Sequence, residues 1–179
     1  MIISKSFKQI KIHSSKRGLI LPGNKTLDKI SSELIKQKKK ISTAESCTGG
    51  LIAHYLTNIS GSSNFFDRGI IAYSNIAKID LLNVSKDLLE KHGAVSKEVA
   101  YAMADDIRKQ SNVDIGLATT GIAGPTGGTV DKPVGLVYIA ISTSEKTNVK
   151  KFKFSGNRLE NKTSTLHAAL NMLYEELKG

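Results

Sequence analysis

Residues 134–142 read VGLVYIAIS, a nearly unbroken apolar run with β-branched and aromatic members. It is far too short to cross a bilayer, which takes about 20 residues. A run of this length between polar segments reads as a central strand buried on both faces. Such a strand must be covered above and below, and the rest of the chain supplies the cover. ISTAE at 41–45 is a short strand, RGIIAYS at 68–74 a buried-type strand, and DIGLATTG at 114–121 another. NVKKFKF at 148–154 alternates and reads as a strand near an edge.

Helical patterns separate these runs. One starts at Asn24, with Thr26 as cap and Leu27, Ile30, Leu34 and Ile35 on one face, and ends in the KQKKK run, whose charge suits a helix C-terminus. Gly49-Gly50 opens a second, through LIAHYLTNI. Short helices cover roughly 76–82 and 85–91. A longer one covers 96–110, with Val99, Met103 and Ile107 on its stripe. A terminal helix places Leu166, Leu170, Leu173 and Leu177 at helical spacing. The order α-β-α-β-α-α-α-β-β-β-α predicts a single three-layer α/β/α domain with a mixed sheet. Its expected extent is 24–179, after an N-terminal arm at 1–23.

A length of 179 residues suits one domain. The single cysteine, Cys47, excludes an internal disulfide framework and a cysteine zinc site. Nothing resembles a secretory signal or a membrane span, so a cytoplasmic location is the simplest reading. The net charge of +10 is unevenly spread. Residues 1–40 hold eleven basic and two acidic side chains, a net +9, and the remainder carries only +1. Only four basic residues are arginines, Arg17, Arg68, Arg108 and Arg158, whereas nucleic-acid surfaces favour the guanidinium fork. A solvated lysine-rich face is therefore expected, with neither nucleic acid nor membrane as partner.

Three polar loops follow predicted strands: AESCTGG at 44–50, YSNIAK at 73–78 and TTGIAGPTGG at 119–128. Ligands gather at such strand ends. A glycine-containing strand-to-helix turn can aim backbone N–H groups at a developing oxyanion. Ser46, Cys47 and Thr48 are all candidates to face it. Equally, Ser46 or Thr48 could cap the helix while Cys47 packs as a small apolar group. No histidine has obvious company, so a serine nucleophile would need another base. Lys78 could serve if burial lowers its pKa, with Tyr73 near it, or it could be an exposed helix lysine. The glycine-rich loop matches neither a phosphate-binding P-loop nor a dinucleotide fingerprint. Its backbone donors at Thr120, Gly121 or Ile122 could face a ligand, or it could be a plain loop. Arg158, in FSGNR, could fork onto phosphate or carboxylate, or simply be solvated.

Taken in order, TAESCTGG, GSSNFFDRGIIAYSNIAK, HGAVS, TTGIAGPTGG, KPVGLVYIAI and FSGNR resemble the CinA C-terminal domain family over about residues 26–176. Stand-alone members of that family are nicotinamide-nucleotide amidohydrolases. The resemblance implies hydrolysis of the carboxamide of nicotinamide mononucleotide to nicotinate mononucleotide and ammonia, a step of pyridine-nucleotide salvage. It makes Ser46 the nucleophile, Lys78 its general base and Tyr73 an assistant in proton transfer. Thr48, Gly49, Thr120, Gly121 and Arg158 would bind the substrate, Arg158 at the 5′-phosphate. It implies no metal, no cofactor, a small nucleotide as ligand and a homodimer. A non-catalytic nucleotide-binding module is the alternative. The nucleotide-pyrophosphatase-like domain of longer members has no counterpart in these motifs, and its activity is not carried over.

Overall fold

The computed structural model describes residues 24–179, and the arm read at 1–23 lies outside the described residues. The elements run α1 (Asn24–Lys36), β1 (Ile41–Glu45), α2 (Leu51–Thr57), a 3-10 turn (Ser62–Asn64), β2 (Phe66–Ile71), α3 (Asn75–Leu82), α4 (Lys86–His92), α5 (Lys97–Ser111), β3 (Ile115–Gly121), β4 (Leu136–Ser142), β5 (Thr147–Lys153) and α6 (Arg158–Lys178). They form one five-stranded mixed sheet in the order β2-β1-β3-β4-β5. β2, β1 and β3 are parallel; β4 and β5 join antiparallel. This is the α/β fold, with helices on both sides of a mixed sheet, that the run of elements predicts.

The two faces of the sheet are chemically unlike. Ile41, Ile115, Leu117, Val137, Ile139 and Ile141 pack with the apolar stripes of α1, α2 and α6. The other face offers Ala44, Ala118 and Ala140 to α5. Alternation along each strand sends large residues one way and small ones the other. The small face lets α5 lie close. A Cβ on Gly116 would run into the Ala104 carbonyl and come within 2.8 Å of the Arg108 Cβ. Several helix starts are fixed locally: Ser74, Ser85, Ser96 and Asn157 accept first-turn N–H groups of α3, α4, α5 and α6.

Three expectations need correction. β2 is the sheet's edge, not a buried strand, and its Asp67, Arg68, Gly69 and Ile71 are exposed. Apolar character places a residue in a strand but does not rank the strand within the sheet. Ile35 is 49% exposed. Successive helix residues turn by about 100°, so Leu34, four after Ile30, takes the core position and Ile35 swings out. α1 begins at Asn24, which puts Thr26 inside its first turn rather than at the cap.

Candidate active site

Because β1, β2 and β3 are parallel, their C-terminal ends meet on one side of the sheet, and the three polar loops gather there. A cavity of about 240 Å³ lies between them. Ser46, Tyr73, Lys78, Thr120, Gly121 and Arg158 all line it. Thr48 and Gly49 do not; they shape the turn beneath it.

The turn is held from three directions. The Ser46 N–H donates to the Thr119 carbonyl at 3.0 Å. The buried hydroxyls of Thr48 and Thr119 share a hydrogen bond of 2.8 Å. Glu45 is the third support, and the sequence reading did not single out its role. Gly50, at the N-cap of α2, has no side chain to serve the helix's free donors. The buried Glu45 carboxylate takes that part from outside, accepting from Ile52 N–H at 3.1 Å and Ala53 N–H at 2.8 Å. So neither Ser46 nor Thr48 is the cap. Gly49 and Gly50 have φ of 62° and 89°, the left-handed region that favours glycine.

Ser46, only 7% exposed, points its hydroxyl at Lys78. The Lys78 amine lies 3.1 Å from Ser46 Oγ. It also donates to the Ala72 carbonyl at 2.9 Å and the Tyr73 carbonyl at 3.4 Å. Lys78 is 1% exposed, and burial pushes its pKa below the ordinary lysine value. The alternative of an exposed helix lysine is thereby removed. A neutral amine has two hydrogens and one lone pair. With the hydrogens on the two carbonyls, the lone pair faces Ser46.

Cys47 differs from its neighbour. It too lines the cavity, but burial pushes its thiol up to about 12, and it belongs to the core cluster that holds Ile52, Leu117 and Leu166. A thiol so placed is not ionised at neutral pH and behaves as a small apolar group.

The walls are as specific as the floor. The Thr120 hydroxyl donates to the Ala94 carbonyl at 2.7 Å, tying the HGAVS loop against β3. Lys132 Nζ donates to the His92 carbonyl at 2.6 Å from the glycine-rich side. Ala94, Val95, Ile122 and Ala123 give the cavity an apolar surface. The Ile122 N–H donates to the Leu136 carbonyl at 2.9 Å and does not face the cavity as a free donor. Asn161, buried on α6, binds the Ala123 carbonyl at 3.0 Å and both backbone groups of Gly156. At the rim Arg158 donates to the Gly124 carbonyl at 2.8 Å and the Tyr73 hydroxyl at 2.6 Å. Tyr73 thus turns its hydroxyl to Arg158 and its carbonyl to Lys78.

Among the described residues no cluster of His, Cys, Asp or Glu gathers in a metal-holding arrangement, and no helix is long and apolar enough to cross a membrane. His54, His92 and His167 all lie outside the cavity's lining.

The model of the CinA C-terminal domain matches residues 24–177. The chain belongs to the CinA C-terminal domain family. Curated CinA relatives include the competence-damage inducible protein of Thermoanaerobacter pseudethanolicus, 51% identical over 146 residues, and that of Clostridium botulinum strain Langeland, 52% identical over 149. The matches cover 82% and 83% of this chain but only 35% and 36% of those relatives. The chain therefore spans about a third of their length. Among solved structures, a competence/damage inducible protein from Agrobacterium tumefaciens superposes with a TM-score of 0.85 at 38% identity, covering 90% of this chain and all of that one. A CinA superfamily protein from Escherichia coli gives 0.81 at 30% identity, covering 88% and 94%. These are CinA superfamily folds, and their names state no reaction.

Proposed function

We propose that the chain hydrolyses the carboxamide of nicotinamide mononucleotide, giving nicotinate mononucleotide and ammonia. The supporting observation is the Lys78 amine, buried, with no carboxylate partner among the described residues, and directed at Ser46 Oγ from 3.1 Å. Burial favours its neutral form, so it can accept the serine proton. Ser46 Oγ then attacks the amide carbon, which the electron-poor pyridinium ring makes electrophilic. The tetrahedral oxygen needs backbone donors. The Ser46 N–H is committed to Thr119, so they must come from the rest of the turn and the Thr120–Gly121 end of β3. Lys78 returns its proton to the departing nitrogen, which leaves as ammonia. Water, deprotonated by the same amine, cleaves the acyl-enzyme and frees the carboxylate.

Arg158 is assigned the 5′-phosphate. Its side chain is fixed by two neutral acceptors and so keeps its full charge. Tyr73 is assigned the orienting of the Lys78 amine through its carbonyl, while its hydroxyl serves Arg158 rather than the proton's passage. Removing one oxyanion donor from such a site costs about 10²–10³ in turnover. The test is ammonia release from nicotinamide mononucleotide in EDTA, wild type beside Ser46→Ala. Release by wild type alone is expected. Tight binding with no ammonia from either protein would make this a binding pocket and sink the catalytic reading.

A further inference from the structure

A cavity of about 240 Å³ falls short of the roughly 300 Å³ at which pockets begin to enclose a drug-sized ligand. A nucleotide seated with its amide at Ser46 therefore leaves its far end on a rim. The rims differ in charge. On the α3 side Tyr73 and Ile76 are exposed, with the uncharged Ser74 and Asn75 between them, and the nearest acid, Asp80, lies a further turn along α3. On the HGAVS side the wall is Ala94 and Val95, and the Lys132 ammonium beside it is taken up by the His92 carbonyl at 2.6 Å. On the α6 side stand Arg158 and, one helical turn on, Lys162.

Lys162 lies just outside the cavity's lining, against the turn that carries Ser46. A Cβ on Gly49 would sit 3.5 Å from its Nζ, and Gly49 has none, so the backbone there is open to the ammonium. Lys162 is half-buried and, among the described residues, has neither a hydrogen bond nor an ion pair. The nearby acids are committed elsewhere. Glu160 accepts from the Asn157 N–H at 2.7 Å, and Glu45 serves α2. Two cations four residues apart on one helix repel each other, and an anion between them would relieve that repulsion.

We propose that Lys162 joins Arg158 in gripping the ligand's distal anion, a phosphate monoester, and so makes the site select nucleotides over nucleosides. The proposal rests on the amidohydrolase reading of the site. Its chemistry predicts opposite signs for two ligands. A phosphate monoester carries about −1.5 to −2 near pH 7 and outweighs the pyridinium's positive charge. The dephosphorylated riboside is a plain cation, which Lys162 repels.

Binding in a Ser46→Ala background tests this without turnover. Calorimetric titration of nicotinamide mononucleotide and of its riboside is compared with and without Lys162→Gln. The mononucleotide should bind about ten-fold more weakly, as expected for a partly solvated charge-assisted contact. The riboside should bind equally or better, and Lys162→Arg should restore most of the mononucleotide affinity. Equal weakening of both ligands, no weakening of either, or no binding of the mononucleotide to Ser46→Ala itself would overturn the proposal. Wild type that binds but releases no ammonia would sink the amidohydrolase reading, while the calorimetry still decides the part of Lys162.

Discussion

Glu45→Gln is the substitution that most directly probes how the turn carrying Ser46 is built. The carboxylate is buried, and each oxygen accepts one N–H, from Ile52 at 3.1 Å and Ala53 at 2.8 Å. Those are the donors a cap side chain would serve at the start of α2. Glutamine keeps the shape but presents one oxygen and one NH2. One charge-assisted bond is lost and replaced by facing donors, and the other becomes neutral. Hydrogen bonds to charged groups contribute about 1.5–3 kcal/mol, roughly twice a neutral one. The expected loss is therefore about 2–4 kcal/mol. For a domain of this size, 1 kcal/mol shifts Tm by about 2–4 °C. Thermal unfolding followed by circular dichroism should show a drop of roughly 4–16 °C. Glu90→Gln removes an exposed pair with Lys86 and should move Tm by less than about 2 °C. A Glu45→Gln drop as small as that control would refute the assignment of Glu45 as the helix's remote cap. Ammonia release should fall as well, because Ser46 follows Glu45 directly.

Two further outcomes follow from titrating groups. Burial lowers the Lys78 pKa, and the base acts when neutral, so kcat/KM should rise with pH through a midpoint below the ordinary lysine value of about 10.4 and be lost as pH falls through it; an ascending limb that survives in Lys78→Ala would count against the lysine base. With its thiol pushed up to about 12, Cys47 is ionised at pH 8 in on the order of one molecule in ten thousand. Iodoacetamide at that pH should spare the native protein and label it in urea, and Cys47→Ala should still release ammonia; loss of release from a folded Cys47→Ala would return the thiol to candidacy.

Sequence periodicity located the strands and helices because the sheet's interior is strongly apolar, above all in β4, and its helices are amphipathic. It missed the edge position of β2, which depends on pairing rather than hydropathy. In the candidate site, the loops declared themselves through glycine and hydroxyl content after apolar strands. The bond between Lys78 and Ser46 could not be seen, since 32 residues separate them and only the parallel β1–β2 pair brings them together. The part of Glu45 was equally hidden: an acid before a glycine turn signals a cap only once the helix is seen to lack one. Asn161 and Lys162 left a fainter signal, polar residues close to the apolar stripe of α6.

The hairpin return from β3 to β4 carries an evolutionary consequence. A parallel neighbour would have required a crossover helix; here the chain simply turns back over the mouth of the site. The base of that excursion is pinned by the Gly135 N–H on the Ile122 carbonyl at 2.7 Å and the Ile122 N–H on the Leu136 carbonyl at 2.9 Å. Its far end, at Val130, is 99% exposed. Insertions or deletions near that tip can reshape the cavity's glycine-rich wall while the strand register stays fixed. Descendants of this scaffold can therefore change what they admit without paying in fold.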